Sequence, residues 1–156
     1  MTNKQPLTTD QATLAQAILV AIDHYGAATA AQFDHPATWP MPAWGLPQDE
    51  AQRQAEARRL AWVEKGKALE NAALAAIAAR DLALAAMASA LAPGAYQWGS
   101  FVIERGRKAC GQWHCEGYGE IAIYEPREGG SHMHLLAAWW DIDKWRAEQK
   151  AQQAAA

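Results

Sequence analysis

The sequence predicts an α+β fold, and three features predict it. Residues 48 to 92 hold 17 alanines, one glycine and no proline, the strongest helix signal in the chain. Eight of the 11 glycines lie between residues 94 and 130, and the apolar period changes there from three or four residues to two, as it does where helices give way to strands and turns. Four prolines stand between residues 36 and 47, a density no helix tolerates. The expected architecture is an alanine-rich antiparallel helical hairpin packed with a three-stranded antiparallel β-sheet, and a short C-terminal helix closes it.

With 156 residues the chain is the size of one ordinary domain, and a single domain over 1–156 is expected. Leu, Ile, Val and Phe together number only 24, a share that invites a disordered reading. Disorder of that kind also needs a high net charge, whereas 14 basic and 17 acidic residues leave −3, and eight tryptophans and four tyrosines supply apolar bulk. Eleven glycines and two cysteines exclude collagen-like and disulfide-framework classes.

Taken in order, the first 47 residues read as a helix followed by a strap. Thr8, Thr9 and Asp10 offer side-chain acceptors for a helix start, and Leu14, Ile18, Ile22 and Tyr25 recur on one face. Gly26 is a place for that helix to end or kink, with Ala27 to Phe33 able to continue it. Trp39, Met41 and Trp44 punctuate the proline-rich stretch, and their apolar side chains favour a semi-rigid strap lying against the body. The long helix over 48–92 starts with Asp49 and Glu50, which complement its dipole, and stops at Pro93-Gly94. Gly66 is its one candidate for a kink or division.

The β-meander is expected over 95–140. Tyr96 to Glu104 reads as one strand, Arg105 to Lys108 as a basic turn, Trp113 to Tyr124 as a second strand and His132 to Trp140 as a third. The pairing that best assembles an apolar face sets Met133 opposite Ile123, Leu135 opposite Ile121 and Trp139 over Gly117, with Trp98 opposite Tyr118 and Ser100 opposite Glu116. Tyr96, Trp98, Tyr118, Tyr124 and Trp140 then share the other face with Glu116, Glu120, His114, His132 and His134. Asp141 or Asp143 caps a terminal helix over 141–152.

That aromatic face carries the leading functional expectation. Large aromatics on the wetted side of a small sheet are unusual, and Trp and Tyr beside Arg are the residues that dominate interface hot spots. Tyr96, Trp98, Tyr118 and Trp140 are the expected anchors, with Arg105, Arg107 and Lys108 as rim charges. The competing reading of the same aromatics is core, with the strap, the terminal helix or the helical pair covering them. The expected role is non-catalytic protein binding by a small inhibitor or adaptor, of the anti-defence type, that occludes a larger partner.

Two alternatives stay open. A nucleic-acid-binding regulator would stack bases on the aromatic row, but such grooves need positive charge, and Arg105, Arg107 and Lys108 are a thin supply. A small zinc protein would draw its ligands from Cys110, His114, Cys115, His132 and His134. Adjacent strand residues His114 and Cys115 point to opposite faces, which argues against convergence. Glu116 and Glu120 are about 13 Å apart on a strand, beyond either carboxylate geometry for glycoside hydrolysis.

No phosphate loop, dinucleotide fingerprint, nucleophile elbow or His-Glu-x-x-His motif occurs, so an enzyme is not the favoured class and no cofactor other than zinc is expected. The uncharged run Leu82 to Ile103 is long enough for a bilayer but is cut by Pro93-Gly94 and Gln97. No membrane span or secretory signal is expected, and the setting is cytoplasmic with two free thiols. Alanine-rich helices with one apolar seam also favour a homodimer.

Overall fold

The computed structural model describes residues 4–38, 40–42, 44–106, 120–126 and 133–155. Among them the order of elements is β1 (Gln5–Pro6), α1 (Thr9–Phe33), α2 (Gln48–Ala90), β2 (Gly94–Trp98), β3 (Phe101–Arg105), β4 (Ile121–Pro126), β5 (Met133–Trp139) and α3 (Ile142–Ala155). The fold is α+β. Its sheet has five strands in the order β1-β2-β3-β4-β5, with β1 parallel to β2 and every other pair antiparallel. A mixed five-stranded sheet thus replaces the expected three antiparallel strands.

The helix ends follow local chemistry. Thr8 and Gln11 form a reciprocal capping box: the Gln11 amide donates to Thr8 Oγ1 at 3.3 Å and the Thr8 amide donates to Gln11 Oε1 at 3.0 Å. Asp141, not Asp143, caps α3, accepting from the Lys144 amide at 2.9 Å. Neither Gly26 nor Gly66 breaks its helix; α1 runs 25 residues and α2 runs 43. The cost of one interior glycine, about 1 kcal/mol, is small against a long alanine-rich helix.

The chain divides into two compact units. The first takes 1–22 and 81–156, and the second takes 23–80. In the first unit, Ala15 and Ile18 of α1 and Leu84, Met87, Ala88 and Leu91 at the end of α2 pack on Tyr96, Ile103, Ile121, Ile123 and Ala137 of the sheet. The Gln11 side-chain amide donates to the Ala90 carbonyl at 3.2 Å, so the start of α1 lies beside the end of α2. The opposite sheet face buries Val102, Ala122 and Tyr124, flanked by Met133, Leu135 and Ala138.

Two local features exchange the faces expected for the sheet residues. The stretch Tyr96 to Glu104 is two strands, because Gly99 (φ +58°) opens a two-residue loop between Trp98 and Phe101. Trp98 therefore pairs with Phe101, Tyr96 faces Ile103, and Ile103 faces Ile123. Tyr96 and Trp98 fall on the isoleucine side, away from Tyr124. The second feature is a bulge: Ile123 pairs with Ala137 but Tyr124 pairs with Leu135, leaving Leu136 between them. Beyond it Met133 and Leu135 switch to the Tyr124 side. Trp139 pairs with Ile121, in place of the expected position over Gly117.

Candidate functional site

The described residues place several members of the expected aromatic sheet surface in the core. Tyr96 is 4% exposed and belongs to the main core; its hydroxyl donates to the Ala92 carbonyl at 2.9 Å. Trp98 is half-buried at the edge of that core and stacks on Phe101 with ring centroids 5.7 Å apart. Tyr124, another member of the expected face, is also buried. Trp140 alone of the described anchors keeps substantial exposure. Tyr118, Arg107 and Lys108 lie outside the described residues.

Arg105 is an internal tie and not a rim charge. Its Nε donates to the Ala88 carbonyl at 2.6 Å, near the end of α2, and its Nη1 donates to the Glu120 carbonyl at 3.1 Å and to Glu120 Oε2 at 3.0 Å. Glu120 is buried, and Lys144 of α3 stands 3.4 Å from its other carboxylate oxygen. One guanidinium thus joins the end of α2, β3 and the start of β4. Such a network suits holding elements together more than meeting a partner.

Four of the five candidate zinc ligands, Cys110, His114, Cys115 and His132, lie outside the described residues. The fifth, His134, is exposed on β5, with Nδ1 3.4 Å from Glu125 Oε1 of its cross-strand partner. Among the described residues no group of three or more His, Cys, Asp or Glu side chains converges on a metal position.

A different surface emerges in the second unit. Its helices are joined by the strap over 34–47, and α2 holds that strap by its backbone. Trp62 Nε1 donates to the Pro36 carbonyl at 2.8 Å, and Arg58 Nη1 donates to the Met41 carbonyl. The His35 ring stacks on Trp62 at 5.1 Å, and a Cβ on Gly66 would come within 3.1 Å of His35 Nε2. Gly66 thus admits the imidazole, the close approach for which a glycine is suited. Residues 58, 62 and 66 are four apart, so one stripe of α2 carries all three contacts.

Met41 and Trp44 of the strap do not lie against the body, and Trp39 is outside the described residues. Met41 is 75% exposed and Trp44 wholly exposed, and Phe33 at the end of α1 is 85% exposed. The strap's backbone is anchored while its largest described apolar side chains stand in water. Two signals in the sequence pointed here: prolines that limit backbone freedom, and one glycine in an alanine-rich helix where nothing local asks for it.

Two arginines beside the strap are engaged, Arg58 by the Met41 carbonyl and Arg59 by a carboxylate. Arg59 pairs with Glu56 at 2.7 Å, which holds that exposed carboxyl below its usual range, first through the hydrogen bond and then through the nearby positive charge. Further along, Arg80 lies over the Tyr25 ring at 4.6 Å. In comparisons with known proteins, no family model, no curated protein and no solved structure matches the chain.

Proposed function

We propose that the protein is a non-catalytic binding module whose working surface is the strap end of the second unit. The observation that carries this reading is the contrast within the strap: carbonyls held by Trp62 and Arg58, side chains of Met41 and Trp44 free of any packed surface. Holding the backbone in advance lowers the entropy lost on association, and exposed Trp, Phe and Met are typical anchors for an apolar cleft. The partner would be a protein with such a cleft, and the module would act as an inhibitor or adaptor by filling it. A nucleic-acid role draws less support, because Arg58 and Arg59 are already engaged and the chain is net acidic.

The test is capture from the native host with wild type and with a Met41→Ser, Trp44→Ser double variant, both first shown to melt alike. The expected result is a defined protein retained by wild type and lost by the variant. A partner that the variant still holds, and that Trp140→Ala releases, would return the site to the end of the sheet and overturn the reading.

A further inference from the structure

We infer that the strap is a latch that opens at His35 while the backbone of α2 stays helical. Its closed position is built around one ring. The His35 imidazole stacks on the Trp62 indole, with ring centroids 5.1 Å apart and planes inclined by 23°, and it fits over Gly66. Both ring nitrogens are buried, and neither has a hydrogen-bond partner among the described residues. A neutral imidazole carries one N–H donor and one acceptor nitrogen, so the closed position leaves two polar groups unmet. Once the ring swings out, water meets both.

That cost falls on the closed state alone. A buried polar group without a partner destabilises the state that buries it, whereas an apolar group of similar shape in the same place does not. Phenylalanine would also offer a ring to stack on Trp62. Histidine therefore holds the closed strap nearer in free energy to the open one than phenylalanine would.

Little else opposes opening. Among the described residues of 34–47 only His35, Pro42 and Leu46 are shielded even in part from solvent, and none is fully buried. The hydrogen bonds to the Pro36 and Met41 carbonyls come from the side chains of Trp62 and Arg58, and releasing them leaves the backbone bonds of α2 in place. Segments with few buried apolar contacts open locally at free energies well below that of global unfolding. The consequence for binding rests on the function proposed above: a partner that takes the held strap meets only the closed fraction, and its apparent affinity scales with that fraction.

Hydrogen exchange in the free chain, followed by NMR at the Trp62 indole N–H and at the Trp62 backbone amide, tests the latch without any partner. In wild type, after correction for intrinsic rates, the indole proton bonded to Pro36 should exchange about tenfold or more faster than the backbone amide inside α2. His35→Phe should slow the indole exchange about fivefold or more, the lower end of what one unmet buried polar group costs, and leave the backbone amide unchanged. His35→Met, whose flexible apolar side chain adapts to the slot, should slow it as well. Indole and backbone amide exchanging at one corrected rate in wild type would overturn the inference, as would an indole proton that exchanges as fast in both variants as in wild type. Capture by the Met41→Ser, Trp44→Ser variant reads the proposed function alone, so either idea can fail without the other.

Discussion

Replacing Arg105 with methionine should be among the most damaging single changes to the first unit. The substitution keeps a long apolar stem but deletes three donated hydrogen bonds, one to Ala88 and two to Glu120. It leaves a buried carboxylate whose Oε1 stands 3.4 Å from Lys144 Nζ. Breaking a buried ion pair from one side costs about 3–5 kcal/mol. The Arg105 side chain is 19% exposed and Lys144 remains, so the lower end applies, about 3 kcal/mol.

For a chain of this size that is roughly 6–12 °C in melting temperature. Glu120→Gln keeps an acceptor facing the guanidinium and should cost about 1–2 kcal/mol. Because the two side chains act as one unit, the Arg105→Met, Glu120→Gln double variant should lose less than the sum of the singles by at least about 1 kcal/mol. Urea unfolding followed by circular dichroism supplies all four stabilities. An Arg105→Met protein within about 1 kcal/mol of wild type, or a cycle additive to about 0.5 kcal/mol, would refute the reasoning.

Changes at three other positions probe separate parts of the molecule. Tyr96→Ala should cost about 3–5 kcal/mol as a core truncation, whereas Tyr96→Phe should cost about 1 kcal/mol for the bond to Ala92; a Tyr96→Ala protein as stable as wild type would restore Tyr96 to the surface. Gly66→Ala should shift the Trp62 indole N–H resonance, because the new methyl meets His35, while the net stability change stays within about 1 kcal/mol since alanine is the better helix former. An unmoved indole signal would show that the strap does not rest on Gly66.

Burial holds the Glu104 carboxyl above its ordinary value of 4.5, with Lys4 opposing. Just above 4.5 the folded chain therefore binds more protons at this site than the unfolded chain, and stability falls as pH rises through that window. Melting curves of Glu104→Gln and wild type should diverge in favour of the variant as pH rises from 4.5; a pH-independent difference would refute this.

The sequence alone determined what depends on neighbours along the chain. Seventeen alanines without a proline make a helix wherever the fold puts it, the Thr8-to-Gln11 spacing caps α1, and Pro93-Gly94 ends α2. Strand-like alternation around Ile121 and Ile123 was likewise visible. Tertiary structure decided which strand lies beside which and which face looks inward. In a strand one residue of offset exchanges the faces, so the loop at Gly99 and the extra residue Leu136 were enough to send Tyr96 into the main core and Leu135 to the opposite sheet face beside Tyr124. The strap shows the same division. Its prolines announced a stiff, non-helical segment, but contacts of Trp62, Arg58 and Gly66 with residues 17 to 31 positions away decided that its backbone would be held while Met41 and Trp44 face water.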